Sequence, residues 1–144
     1  MLQNKRINLV DTSEINPLIQ QWLKQRQSVL VHYSELCTIK NSETENLQQF
    51  CQTLMDYIST GHFKMFEKLA EVYHASQPQF QPLDAELLNK ILLTTDIALD
   101  FNDKYTDPKE LDALFSDLSP LGEALANRMD WEDEYIKFCL QHSV

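Results

Sequence analysis

At 144 residues the chain has the length of one domain, able to bury roughly 68–70% of the surface its unfolded form exposes. Its 43% hydrophobic and 24% charged residues are ordinary for a globular protein, which sets aside intrinsic disorder, and no apolar run nears the ~18 residues of a membrane span. A net charge of −10 argues against direct nucleic-acid binding, which needs a basic face to displace counterions from phosphates.

Two glycines and five prolines leave little material for tight turns, and apolar residues recur at three and four, so the expected fold is all-α. The first long helix is expected over residues 14–37, with Ser13 as N-cap and Pro17 near its first turn. Its stripe is Ile15, Leu18, Ile19, Trp22, Val29, Leu30, Tyr33 and Cys37. A polar connection, "TIKNSETEN", leads to a second helix over 45–59, facing inward through Leu47, Phe50, Cys51, Leu54 and Ile58. Gly61 then reads as the left-handed residue that commonly ends a helix.

The third helix, residues 62–75, presents Phe63, Phe66, Leu69, Ala70 and Tyr73 and stops before "SQPQFQP". A fourth over 83–105 uses Leu87, Leu88, Ile91, Leu92, Ala98, Leu99 and Phe101. A short helix at 108–115 and a last long one at 120–141 follow, the latter packing through Leu121, Leu125, Met129, Tyr135, Ile136 and Cys139. Long helices joined by short connections predict a four-helix-bundle-like single domain, residues 1–144, with additional short helices.

Charge is unevenly spread. Residues 1–83 are net −1 and residues 84–144 net −9, so one part of the surface should attract a basic protein, unless the charge serves solubility alone. The N-terminal stretch lacks the long apolar core of a signal peptide, which gives a cytoplasmic expectation. Cys37, Cys51 and Cys139 are widely spaced and form no CxxC pair, arguing against a disulfide framework or a zinc site.

Two charges fall inside apolar stripes. Arg26 is four residues from Trp22 and three from Val29, while Glu132 is three from Met129 and four from Ile136. Since an isolated buried charge is costly, the pair is expected to meet or to share a polar pocket, either as a structural ion pair or as the rim of a partner site. Asp56 faces outward near a helix C-terminus, where the dipole disfavours an anion, so it is either held for something outside the fold or an ordinary solvated aspartate.

His62, at a helix N-terminus, suggests a tuned base, but no serine or cysteine stands near it in a nucleophile motif, and capping or packing is the reading taken. A di-metal carboxylate bundle needs two Glu-x-x-His motifs, and only one, Glu71 to His74, is present. No catalytic residue, metal site or cofactor is therefore assigned. A metal- or small-ligand-binding bundle stays as the alternative from another class.

The blocks "LIQQWLKQRQSVLVHYSEL", "FCQTLMDYISTGHFKMFEKL", "LDFNDKY" and "LGEALANRMDWEDEYI" resemble, in order and spacing, the Rsd/AlgQ family of bacterial anti-sigma regulators. The similarity spans most of residues 15–140 and is weakest around 38–46, 76–83 and 106–117. The resemblance implies a helical bundle without catalytic activity. It implies as partner the primary sigma factor of RNA polymerase, chiefly its C-terminal −35-reading helix-turn-helix domain, withdrawn from polymerase in stationary phase or stress. It places Trp22, Arg26, Asp56, His62, Phe63, Glu67, Glu123 and Glu132 on matching positions. It points to Asp56, His62, Phe63, Phe66 and Glu67, with Trp22, as the partner surface beside a polar pocket of Arg26 and Glu132. An acidic adaptor for another regulatory protein is the remaining option.

Overall fold

The computed structural model describes residues 2–38, 44–76, 82–106 and 113–142, and the side chains within 15–38, 45–61, 64–71, 85–106 and 113–140. The described residues are helical almost throughout and include no strand, as an all-α chain requires. Among the described residues five α-helices follow in order: α1 (Leu2–Thr38), α2 (Thr44–Thr60), α3 (Phe66–Ser76), α4 (Pro82–Tyr105) and α5 (Leu114–His142). A π-helical turn, Gly61–Met65, joins α2 to α3. In the bundle α1 packs on α2, α2 on α4 and α4 on α5, while α3 closes the ring against α1 and α5.

The seam of α1 repeats every seven residues. Ile15, Trp22, Val29 and Leu36 are each fully buried, and Ile19, Arg26 and Tyr33, four residues after the first three of them, line its edge half-buried. This is the coiled-coil spacing that keeps one face of a long helix toward its neighbours. Leu30 and Cys37, placed on the stripe by simple three-and-four counting, stand exposed because they fall off the seven-residue repeat, and Leu99 of α4 is likewise outside. The first helix also begins well before Ser13, which is interior to α1 and not its cap, as is Pro17. Pro17 removes one hydrogen bond from the helix, and α1 runs on through it.

Gly61 does not end a helix in the left-handed region, since no described glycine has a positive φ. Its role is clearance. A Cβ there would lie 3.2 Å from Trp22 Nε1 and 3.3 Å from Phe66 Cε2, tighter than ordinary contact. At the other end of α1 the Tyr33 ring lies over Gly122, where a Cβ would be 2.6 Å from Tyr33 Cζ, and the Tyr33 hydroxyl donates to Leu118 O at 2.8 Å. Both glycines are seats for aromatic rings of α1.

The π turn has a sequence cause. Leu47, Leu54 and Gly61 are buried at intervals of seven, but the next in line, Leu69, comes eight later, so one extra residue is taken up as a wide turn instead of breaking the rod. At the C-terminal side most of the short helix expected at 108–115 lies outside the described residues. Leu114 and Phe115 open α5 itself, which carries Pro120 inside it, and residues 107–112 lie outside the described residues. The freed carbonyl at Ser116 sits on an exposed residue, where water can serve it.

Candidate functional site

One half of the bundle interior is apolar and aromatic. Phe50 meets Phe101 edge-on at 5.8 Å, Phe101 tilts against Tyr105 at 4.6 Å, and Leu47, Leu114, Leu118 and Leu121 fill the space between. The other half is crossed by a layer of charge. Arg128 and Glu132, one helical turn apart on α5, are both fully buried. Arg128 Nε donates to Glu132 Oε2 at 3.1 Å, and its Nη1 donates to Ile91 O at 3.1 Å, Thr94 Oγ1 at 3.1 Å and Thr95 Oγ1 at 2.7 Å. The Tyr57 hydroxyl of α2 donates to the other carboxylate oxygen of Glu132. Arg128 Nη2 is buried without a partner among the described residues.

Arg26 closes this layer from α1. Its guanidinium lies over the Trp22 ring, 4.7 Å from the centroid, and reaches Glu132 Oε1 at 3.8 Å. Its shorter contact is with the next residue along, Asp133 Oδ1 at 2.8 Å, which is itself more than half exposed. Arg26 therefore stands at the boundary between the buried layer and solvent, not in the core. Trp22 in turn stacks on Tyr57 with centroids 6.1 Å apart.

The electrostatics follow from burial. Desolvation pushes the Glu132 carboxyl above its ordinary value, while the charge of Arg128, the Tyr57 hydrogen bond and Arg26 pull it back only in part. Tyr57 is driven well above 10 by burial and by the neighbouring Glu132 charge. Burial tends to lower Arg26, but the hydrogen bond and charge of Asp133 outweigh it and hold the guanidinium above its usual value. Cys51, pushed up to about 11 by burial, stays a protonated apolar thiol.

Asp56 occupies a different setting. It is exposed on α2, where Gln52 Nε2 holds one carboxylate oxygen at 3.0 Å. Two adjoining hollows in the groove between α1 and α2 share it. One, about 380 Å³, is bounded by Gln21, Gln25, Thr60 and Lys64; the other, about 240 Å³, by Lys24, Ser28, His32 and Thr53. The groove is polar and open, suited to receiving hydrogen-bonding side chains of a partner and not to enclosing an apolar ligand.

The family model described as "Regulator of RNA polymerase sigma(70) subunit, Rsd/AlgQ" matches residues 1–140. The chain belongs to the Rsd/AlgQ family. A "Regulator of sigma D" of Yersinia pseudotuberculosis serotype O:1b (strain IP 31758) is 33% identical, covering 88% of this chain and 81% of its own length. Those of Pectobacterium atrosepticum and Pectobacterium carotovorum subsp. carotovorum are 36% and 35% identical, each over 85% of this chain and 87% of their own.

The positions expected from the resemblance to carry the family's motifs fall into separate groups. Trp22, Arg26 and Glu132 converge on the buried layer. Asp56 opens into the α1/α2 groove, Glu67 is exposed at the start of α3, and Glu123 is exposed on α5. Phe66 and Trp22 do not present a surface. Phe66 is buried edge-on against Tyr135 at 5.6 Å, and Trp22 is wholly enclosed, because aromatics at helical spacing are drawn to the core first. His62 and Phe63 lie in the π turn, with side chains outside the described residues, as is the His74 half of the Glu-x-x-His pair.

Sequence reasoning passed over Arg128, Tyr57 and Asp133. A signal for Arg128 was available, since it is three residues from Leu125 on the α5 stripe and one turn before the charge already noticed at Glu132. Thr94 and Thr95 carried none, because their oxygens matter only once α4 and α5 are set side by side.

Proposed function

We propose that the protein is an anti-sigma regulator: it binds the primary sigma factor in the cytoplasm, chiefly through the C-terminal domain that reads the −35 promoter element, and so withdraws it from RNA polymerase in stationary phase or under stress. The observation that carries this reading is the match to the sigma(70)-regulator family along residues 1–140. The net charge of −10 agrees with it, because a DNA-reading domain is basic where it meets phosphate.

The docking face is the α2 flank around Asp56, extended by Glu67. Asp56 is pre-positioned by Gln52 and borders two hollows that would admit the side chains around an incoming arginine or lysine. Lys24 and Lys64 flank the same carboxylate, so recognition there depends on the geometry of a pairing more than on a broad negative field. The buried layer holds α5 and α2 in register behind this face and does not touch the partner.

Isothermal titration with the isolated C-terminal sigma domain, at low and at physiological salt, tests the proposal. The expected result is saturable one-to-one binding that weakens with salt and falls roughly tenfold in Asp56→Ala. Absence of heat at both salts would refute the sigma reading, whereas normal binding by both Asp56→Ala and Glu67→Ala would refute the assigned face.

A further inference from the structure

The α4/α5 flank lies across the bundle from the α1/α2 groove, since α4 pairs with α5 as α1 pairs with α2. Along α4, Leu93, Ile97, Asp100 and Lys104 are successive same-face steps. Leu93 is 65% exposed and Ile97 44%, the apolar end of a stripe that faces water. Beside Ile97, one turn on from Leu93, opens a hollow of about 210 Å³ lined by Ile97, Phe101, Pro120 and Leu121 together with Asp100, Lys104 and Asp117. A void of about 150 Å³ admits a benzene ring, so one branched or aromatic side chain fits this one.

The charged part of the hollow's lining is Asp100 and the Lys104–Asp117 ion pair, which together leave a net negative charge. Asp96, Asp100 and Asp103 are exposed on α4 and pair with no cation among the described residues. The lysines nearby are already engaged: Lys104 Nζ meets Asp117 Oδ2 at 2.7 Å, and Lys90 contacts Glu86 at 3.9 Å and lies over the Trp131 ring of α5. Asp117 also accepts from the Tyr105 hydroxyl at 2.5 Å, so its charge is spent within the fold.

We propose that this flank is a second docking surface, and that its occupant is a basic amphipathic helix of a partner protein, which inserts one apolar side chain into the hollow and sets lysines or arginines against Asp96, Asp100 and Asp103. An apolar seam with an anchor pocket is how grooves take up amphipathic helices. The acidic rim selects the sign of the helix's polar face. The same rim repels phosphates of nucleic acid or anionic lipid, and a second copy of this chain would bring acid onto acid. The site is independent of the Asp56 groove and leaves room for both to be filled together.

The test uses the whole isotope-labelled protein and a synthetic leucine–lysine amphipathic helix of about 18 residues, with a second peptide in which the leucines are serine. Amide shifts are followed at physiological salt. The expected result is saturable binding with shifts confined to residues 90–104 and 117–131. Leu93→Ser/Ile97→Ser should weaken it roughly tenfold, and Asp56→Ala should leave it unchanged. Both substituted side chains are exposed, so the double variant should keep the wild-type spectrum. No saturable shifts, equal binding of the serine peptide, or shifts centred on Asp56 would each overturn the proposal. So would a concentration-dependent dimer that Leu93→Ser/Ile97→Ser disperses, which would make the occupant a second copy. The sigma titration with Asp56→Ala is a separate measurement, so either reading can fail alone.

Discussion

The two halves of the bundle interior are held by different physics. Around Phe50, Phe101 and Tyr105 the side chains are apolar rings and aliphatics, and cohesion scales with area removed from water. Around Arg128 and Glu132 the interior is ionic, and cohesion exists only while every member keeps its partner, because a charge left alone in a low dielectric has no water to fall back on. The first kind of core degrades gradually under substitution. The second kind fails at once.

Breaking one member of the polar layer should therefore have the largest effect. Arg128→Met leaves Glu132 buried without its main counter-charge and is expected to cost about 3–5 kcal/mol in denaturant unfolding. The double variant Arg128→Met/Glu132→Leu should recover most of that loss. If the double variant is no more stable than the single, the layer is not an interdependent unit and the comparison collapses.

Gly122→Ala comes next. Its new methyl must displace the Tyr33 ring and cost the hydroxyl its bond to Leu118, an expected loss of about 1–3 kcal/mol by thermal melting, larger than for Gly61→Ala. In the apolar half Phe50→Leu should cost only about 1–1.5 kcal/mol, since its neighbours can close on the smaller side chain.

The smallest effect separates the two kinds of acid by pH. Folding raises Glu132, so above the ordinary value of 4.5 the unfolded chain gives up that proton first and the contribution to stability falls as pH rises, until Glu132 ionises in the folded state as well. Folding lowers Asp117, chiefly through Lys104 and Tyr105, and its contribution is instead lost as pH falls through its depressed value. Unfolding measured across a pH series should show the falling slope flattened in Glu132→Gln and the acid-side loss reduced in Asp117→Asn.

The helical class and the bundle were legible from apolar spacing and from the family-like motifs, because both are carried by local order along the chain. The seven-residue seam of α1 was blurred by counting threes and fours, which admitted Leu30 and omitted Leu36. Arg26 and Glu132 were visible as charges in apolar stripes, yet the closest partner of each is a residue that the stripe did not mark: Asp133, one position on, for Arg26, and Arg128 and Tyr57 for Glu132. Burial, which decides between core and surface for Trp22 and Phe66, depends on which neighbouring helix covers them. The π turn was hidden because a glycine before a new apolar run also reads as a helix end.

That turn lets the α2–α3 rod absorb a change of one residue in its length. A single extra residue absorbed in Gly61–Met65 keeps Leu54 and Leu69 on the same side of the rod. Deleting one residue there would restore regular helix with Leu54 and Leu69 two seven-residue repeats apart and still on the same side, so α3 would keep its face while Asp56 stayed where it is. Homologous chains can therefore lose this one residue without turning α3, and a one-residue gap in an alignment at this point would mark the loss of the wide turn and not a change of surface.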